Sequence, residues 1–307
     1  MAEGLRSLVH MPGRVMALAG VTFVQLVRMR LFLVLAVFGV AFMALQFLPY
    51  HGHLGVETRG LHQLQLIKDV ALGCMQMFGL IFCVGATALL IPRDTEDRIL
   101  YTILCKPVPR FEYLLGKLLG VWGLLLVMLL LMDGMLMLIL KLRVDGMVAE
   151  MIPLLQKQGA TPEQMQPYIE HVQAAGNSWD LQRGIMAMYL GFGVLTGMTL
   201  LFSCFTSGTI VSMIFGLGAY FVGMFQGQLF AGILAGTGTL GTGQGMELCR
   251  HAVAVLLPDF SIFNVADTAS SGVSFGWGML GSLALIALGY MLLHLLVSAM
   301  LFSRKEF

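Results

Sequence analysis

Six long apolar runs, with at most one charged residue in each, recur along this chain. The hydrocarbon core of a bilayer is about 30 Å thick, and a helix needs roughly 20 mostly apolar residues to cross it. Five runs reach or approach that length, and the fifth in chain order is shorter unless it extends into the uncharged residues that follow it. The pattern therefore predicts an all-α membrane protein with six transmembrane helices. The predicted spans are Leu31–Leu48, Val70–Ile91, Leu118–Leu140, Ile185–Phe205, Ile210–Phe225 and Trp277–Phe302.

The densest group of charged residues lies between the second and third predicted spans. The apolar residues within it recur at i, i+1, i+4 and i+5, which is the spacing of one helical face. These apolar residues are Ile99, Leu100, Ile103 and Leu104. Asp94 is a candidate N-cap, and Glu96 and Asp97 add carboxylates to the first turn, where the helix dipole favours them. The pattern predicts a short amphipathic helix over residues 94–105.

The residues after this helix determine how it joins the third span. Pro107 and Pro109 cannot continue a helix, and each restricts the residue before it to an extended conformation. Arg98 lies off the apolar face, while Arg110 and Lys117 follow the prolines into the span. We expect Lys117 to extend its ammonium group towards the membrane interface. The amphipathic helix is thus predicted to have a rigid exit.

Composition agrees with a bilayer environment. Hydrophobic residues make up 58% of the chain, charged residues 11%, and the mean hydropathy is +0.85. A soluble globular domain has roughly 45–50% apolar residues. The formal net charge of +1 gives no electrostatic reason to bind nucleic acid. Membrane lipid is the partner that composition implies.

The distribution of Lys and Arg predicts how the spans are oriented. Eleven of the 18 lie before the first span, between the second and third spans, or after the last one. The other seven are spread over longer segments. The positive-inside rule then places both termini and the loop 92–117 in the cytoplasm, and the segment 141–184 outside as a soluble insertion.

Two further segments complete the predicted organisation. Residues 1–30 alternate arginines with apolar runs, which is typical of an amphipathic helix lying at the inner interface. The six-span domain follows over residues 31–307. Within it the glycine-rich segment 227–276 is predicted to be an outer or re-entrant segment between the last two spans.

Two ionisable residues fall inside the predicted spans, Asp133 in the third and His294 in the sixth. A charge near the bilayer centre costs roughly 2.5–3.5 kcal/mol on insertion scales, so such residues usually face the bundle or a wet cavity. Each is a candidate functional group; the structural alternatives are a protonated or hydrogen-bonded Asp133 that holds two helices together and a neutral His294 satisfied by one backbone carbonyl. No H-E-x-x-H or G-x-S-x-G motif lies in a predicted span, so the sequence predicts no catalytic residue there. His51 and His53 lack partners at zinc spacing, so it predicts no metal site.

The run from Asp94 to Gly120, DTEDRILYTILCKPVPRFEYLLGKLLG, resembles the coupling region of type-2 ATP-binding-cassette (ABC) transporter permeases. The family pattern has acidic residues, an Ile/Leu-rich turn, P-v-x-R and then LLGK. The matching residues are Pro107, Arg110, Leu114, Leu115, Gly116 and Lys117. Six spans with both termini inside, and the closing FSRKEF, extend the resemblance across most of the chain.

The resemblance implies the permease subunit of a bacterial exporter in the cytoplasmic (inner) membrane. Such a subunit works with a second permease subunit and with ATPase subunits on separate chains. No G-x-x-x-x-G-K-[ST] phosphate loop is present, so ATP and Mg²⁺ are expected on the ATPase and no cofactor on this chain. The residues that the resemblance implies in ATPase docking and coupling are Asp94, Glu96, Asp97, Arg98, Ile99, Leu100, Ile103, Leu104, Pro107, Arg110 and Lys117.

Two other interpretations of the sequence stay open. One is a membrane enzyme that acts at Asp133 or His294, and it requires activity from the chain purified alone. The other is a scaffold that recruits an outer partner through the segment 141–184. The sequence does not select a substrate among drugs, lipids, polysaccharides, peptides and ions.

Overall fold

The computed structural model describes residues 2–46, 59–96, 109–157, 162–176, 179–206, 208–234, 257–264 and 276–304. These residues form α-helices and a 3₁₀ helix, and no strand occurs among them. The α-helices are α1 Ala2–Val27, α2 Arg30–Leu45, α3 Arg59–Glu96, α4 Arg110–Lys157, α5 Pro162–Gly176, α6 Trp179–Phe205, α7 Thr209–Leu234 and α8 Trp277–Arg304. The 3₁₀ helix, Phe260–Phe263, lies between α7 and α8. The prediction of an all-α protein is confirmed.

Among the described helices, five segments are long and apolar enough to cross a membrane; four lie within α3, α4, α7 and α8, and the fifth contains α6. They contain the second to sixth predicted spans. The first predicted span falls largely in α2, which has 16 residues. A bend of 67° joins α1 to α2, and together they give a sixth candidate. The chain is therefore a multi-pass helical membrane protein.

The bundle has two ends, which we name by the connections they carry. At the loop end, α3 ends at Glu96 and α4 begins at Arg110, with residues 97–108 between them. The C-terminus of α8 lies at the same end, beside Arg110. The opposite end, which we call the hairpin end, contains the last turns of α4 up to Lys157 and the helix α5 that follows. Helix α1 packs along α4 near the loop end.

Helix α6 lies at the centre of the bundle and packs against α3, α4, α7 and α8. Its apolar residues are distributed all around the helix, and most of them are buried, as expected for a helix enclosed by others. Glycine allows the closest approach. A Cβ atom at Gly193 would lie 2.8 Å from Nε1 of Trp122 on α4 and 2.9 Å from Sδ of Met291 on α8.

Helix α3 continues past the predicted end of the second span. Pro92 lies inside the helix, and because proline has no N–H it cannot bond the carbonyl of Ala88. The hydroxyl of Ser203 on α6 lies 3.5 Å from that carbonyl and donates to it instead. The prediction that Asp94 caps a new helix is therefore wrong, since Asp94 lies in the last turn of α3.

Helix α4 also runs beyond its predicted span. Its 48 residues, at 1.5 Å each, give a length of about 72 Å, more than twice the thickness of a hydrocarbon core. The segment 141–184, predicted as an outer loop, is therefore largely helical. It comprises the C-terminal part of α4, the whole of α5 and the first residues of α6. Its Leu, Met, Ala, Glu and Gln residues have high helix propensity, which accounts for this result.

Helix α5 is fastened to the rest of the bundle near its C-terminus. Lys68 of α3 is buried and donates a hydrogen bond from Nζ to the carbonyl of Ala175. The next residue, Gly176, approaches α4 so closely that a Cβ atom there would lie 2.5 Å from Cγ2 of Val144. These two contacts fix α5 against both α3 and α4.

Candidate functional site

A buried ion pair joins the two helix ends that border residues 97–108. Nζ of Lys117 on α4 lies 2.6 Å from Oδ2 of Asp94 on α3, and the two side chains are 5% and 0% exposed. The hydroxyl of Tyr113 donates to the same carboxylate oxygen at 2.6 Å. Gln25 of α1 donates to Oδ1 of Asp94 at 3.3 Å and accepts from Lys117 at 3.2 Å. Helices α1, α3 and α4 thus meet at one carboxylate.

Local sequence explains why α4 supplies two of these groups. Tyr113 and Lys117 are four residues apart, so they share one face of the helix, and the ammonium lies 5.7 Å from the centre of the tyrosine ring. Asp94 lies in the last turn of α3, where the helix dipole disfavours a carboxylate. The lysine and the two hydrogen-bond donors offset that cost and the cost of burial.

Helix α1 packs closely against α4 through two glycines. A Cβ atom at Gly116 would lie 2.5 Å from Cβ of Leu18, and one at Gly120 would lie 2.6 Å from Cβ of Thr22. Glycines four residues apart allow two helices to approach backbone to backbone. The stretch LLGKLLG therefore combines a close helix contact with the buried lysine between its glycines.

A second ion pair joins the same two helices nearer the loop end. Nη2 of Arg14 on α1 lies 2.8 Å from Oε1 of Glu112 on α4, and the glutamate side chain is buried. Glu112 immediately precedes Tyr113, which contacts Asp94. The first turns of α4 are thus fixed to α1 by charge as well as by packing.

Arg110 fastens the start of α4 to the end of α8. Its Nη1 donates to the carbonyls of Phe302 and Ser303 at 2.8 and 2.6 Å. These carbonyls belong to the last turn of α8, which has no intrahelical donors for them. The guanidinium also lies 6.0 Å from the centre of the Phe302 ring, and Tyr113 stacks on that ring at 5.9 Å.

We refer to Arg14, Gln25, Asp94, Arg110, Glu112, Tyr113 and Lys117 as the loop-end network. Sequence reasoning singled out Asp94, Arg110 and Lys117, and the structure brings them to one end of the bundle. It missed Arg14, Gln25, Glu112 and Tyr113, of which only the i, i+4 spacing of Tyr113 and Lys117 was a readable signal.

Two of the predicted residues have a different local role from the one expected. Lys117 is buried against Asp94 and does not reach the membrane interface, because the carboxylate compensates its charge inside the protein. Asp94 is equally buried, whereas Glu96, two residues later, is exposed. The remaining members of the predicted coupling helix lie outside the described residues. They are Asp97, Arg98, Ile99, Leu100, Ile103, Leu104 and Pro107.

The two intramembrane candidates lie at different levels of the bundle. Asp133 accepts a hydrogen bond from Nε2 of Gln182 at 2.9 Å and lines a cavity together with Leu280 of α8. His294, fully buried, stacks on Tyr290 of the same helix at 6.0 Å. The 14 residues from Leu280 to His294 correspond to about 20 Å along α8. The structure therefore does not bring Asp133 and His294 together in one site.

Comparison with known proteins gives one family assignment. Residues 16–307 match the family described as ABC-2 family transporter protein. The match covers all of the described helices except the first part of α1, and it includes the whole loop-end network but Arg14. No curated protein matched the chain.

Proposed function

The chain belongs to the ABC-2 family of transporter membrane proteins, and from that membership we propose that it is the permease of an exporter driven by ATPase subunits on separate chains. Its place is the bacterial cytoplasmic membrane, with both termini and the loop end in the cytoplasm. The direction of transport is inferred from the resemblance of residues 94–120 to the coupling region of type-2 exporters.

The Asp94–Lys117 ion pair is the observation that supports the site of energy input. Residues 97–108 connect α3 to α4, and the ion pair holds the two helix ends together just inside that connection. A force applied to the connection therefore moves both helices as a unit and does not separate them. Gln25 extends the unit to α1, and Arg110 extends it to the end of α8.

In this proposal the ATPase docks on the exposed Glu96 and on the segment after it, through Asp97, Arg98 and the apolar face of the predicted helix. Asp94 and Lys117 do not touch the ATPase. They transmit its movement to the membrane helices. ATP and Mg²⁺ bind to the ATPase, whose closure shifts the docked segments and biases the helices between an inward and an outward arrangement.

A second permease subunit completes the transport path. Helices α2 and α7 carry large apolar side chains that are exposed on the single chain, among them Phe38 and Ile214. Membrane lipid and the second subunit would together cover these surfaces. Either a second copy of this chain or a related permease meets that requirement.

Purification of the complex tests the docking proposal directly. The tagged chain would be extracted gently from its native host, its partners identified, and ATP hydrolysis measured. We expect a stoichiometric ATPase with the wild-type chain, lost or uncoupled in Glu96→Lys. The matched control is Glu150→Lys, which reverses an exposed charge on α4 away from the loop end.

Two results would count against the proposal. A wild-type chain recovered from intact membranes without any ATPase would exclude an ATP-driven permease. An ATPase that stays bound and fully coupled in Glu96→Lys would place docking elsewhere on the chain.

A further inference from the structure

A cavity of about 200 Å³ lies between α4, α6 and α8 near the hairpin end. Its lining is mostly apolar, and Asp133 of α4 and Arg183 of α6 are its charged members. The loop-end network does not contribute to it. We propose that this cavity binds an amphipathic cation, with an ammonium group at Asp133 and an aliphatic tail directed into the bilayer.

The charges in the cavity favour a cationic ligand. The guanidinium of Arg183 lies 3.0 Å from Oδ1 of Asp180 and 5.4 Å from the centre of the Trp277 ring, so its charge is already compensated. Asp133 accepts a hydrogen bond from the neutral amide of Gln182. Among the residues that the structure describes, no cation pairs with Asp133. A carboxylate in apolar surroundings is costly unless a positive charge neutralises it, and an ammonium ligand supplies that charge.

The aromatic residues of the cavity also suit an ammonium group. Trp179 and Trp277 begin α6 and α8 and line the cavity with Tyr189. The guanidinium of Arg183 already lies over the Trp277 ring, and Trp122 covers one face of Tyr189, which leaves Trp179 as the ring without such a contact among those three. A cation is attracted to the faces of tryptophan and tyrosine rings within about 6 Å. The same rings repel an anionic headgroup from their faces, which adds to the selectivity of the carboxylate.

The depth of the cavity indicates an amphipathic ligand. Asp133 lies 16 residues after Lys117 on α4, or about 24 Å along the helix. Trp179 and Trp277, which line the cavity, are the first residues of α6 and α8, so the cavity lies where two of the membrane helices begin. Tryptophans concentrate at that level of membrane proteins. A ligand at this depth has its head beside the aqueous boundary and its tail among acyl chains.

The size and opening of the cavity fit a ligand that the protein encloses only in part. Pockets that enclose a drug-sized ligand measure roughly 300–1,000 Å³, so a cavity of about 200 Å³ takes a headgroup and the first part of a chain. Leu130 and Met186, which line it, are also exposed on the outside of the bundle. The rest of an aliphatic tail can therefore leave the cavity sideways into the membrane.

Equilibrium dialysis of the full chain in maltoside micelles tests this inference, with empty micelles subtracted. The probe is radiolabelled decyltrimethylammonium, and decyl sulfate and unlabelled decyl maltoside are its chain-matched competitors. We expect the cation to bind about tenfold more tightly than either competitor, and Asp133→Asn to weaken it by about tenfold or more, as when a charge-assisted bond is lost. Asp145→Asn removes an exposed carboxylate from the same helix and should leave binding unchanged.

Two further variants keep the test decisive if Asp133→Asn folds poorly. Asp133→Glu retains the charge and should retain binding. Met186→Trp fills the cavity from α6 and should abolish binding without altering any charge. Equal binding of the cation and the uncharged amphiphile, wild-type binding in Asp133→Asn, or wild-type binding in Met186→Trp would each overturn the inference.

A competition arm identifies the natural source of the ammonium group. Phosphatidylethanolamine carries an ammonium head and phosphatidylglycerol does not. If only phosphatidylethanolamine displaces the probe, the occupant is membrane lipid. If neither lipid displaces a probe that depends on Asp133, the occupant is a free amphiphilic amine. The readout is binding alone, so the result does not depend on whether the chain exports anything.

Discussion

The ammonium of Lys117 lies 2.6 Å from the carboxylate of Asp94, and the protein buries both groups where α3 ends and α4 begins. These residues are 23 positions apart, and the connection between them is the segment proposed to meet the ATPase. The ion pair holds the two helix ends on either side of that segment close together. In the proposed mechanism, the strength of this pair sets how much of the ATPase movement reaches the membrane helices.

Breaking this ion pair should be more harmful than removing it. Asp94→Asn or Lys117→Met alone leaves one uncompensated buried charge, which typically costs about 3–5 kcal/mol in the free energy of unfolding. The double variant leaves neither charge and should be markedly more stable than either single variant. Unfolding of the four proteins in detergent, analysed as a double-mutant cycle, measures the coupling. Additive effects of the two substitutions would show that the groups do not interact.

The approach of α1 to α4 should depend on Gly116 and Gly120. Gly116→Ala places a Cβ atom only 2.5 Å from Cβ of Leu18. Overpacking of this kind costs about 1–3 kcal/mol in the free energy of unfolding. Gly123→Ala is the matched control, because no atom lies within 4 Å of a Cβ atom there. Thermal unfolding should show a loss for Gly116→Ala and none for the control. Equal stability of the two variants would contradict the close packing of α1.

Arg110 should protect the last turn of α8. Arg110→Ala removes the donor to the carbonyls of Phe302 and Ser303, so amide exchange at the end of α8 should accelerate by about tenfold or more, since both charge-assisted bonds are lost. Arg143→Ala is a control with a specific effect of its own, since Arg143 donates to the carbonyl of Gln46 after α2. It should accelerate exchange at the end of α2 and leave α8 unchanged.

Lys68 should hold the hairpin end together. Lys68→Met removes the buried donor to the carbonyl of Ala175, and α5 should then separate more often from α3. Limited proteolysis should cleave α5 faster in this variant. Lys141→Met, at an exposed position of α4, is the matched control and should be cleaved at the wild-type rate. Unchanged cleavage in Lys68→Met would show that Gly176 and Val144 suffice to hold α5.

Much of the architecture could be predicted because hydropathy is a local signal. A run such as Val70–Ile91 must be enclosed by lipid or protein wherever it lies, so its helix was predictable without knowledge of its neighbours. The ends of helices were not predictable in this way. Helix α3 continues past Pro92, and the carbonyl of Ala88 that this proline leaves unbonded is reached by the hydroxyl of Ser203, more than a hundred residues later in the chain.

In the candidate site, too, features set by local sequence could be predicted and contacts between distant residues could not. The spacing of Gly116 and Gly120 can be read from the sequence, and so can the shared face of Tyr113 and Lys117. The pairing of Lys117 with Asp94 could not be predicted. The second span was expected to end before Asp94, so Asp94 was interpreted as the N-cap of a new helix. Gln25 reaches Asp94 across 69 positions of sequence, and no local pattern records that contact.

The length of α4 has a mechanical consequence. The helix begins at Arg110, carries Lys117 of the ion pair about 10 Å and Asp133 about 35 Å from its start, and ends at Lys157 about 72 Å from its start. The ion pair holds this helix near its N-terminus, and most of the helix extends beyond that point. A tilt of about 5° at Lys117 would move the C-terminal end of the helix, about 60 Å away, by about 5 Å. A displacement at the loop end can therefore reach the hairpin end through this one helix.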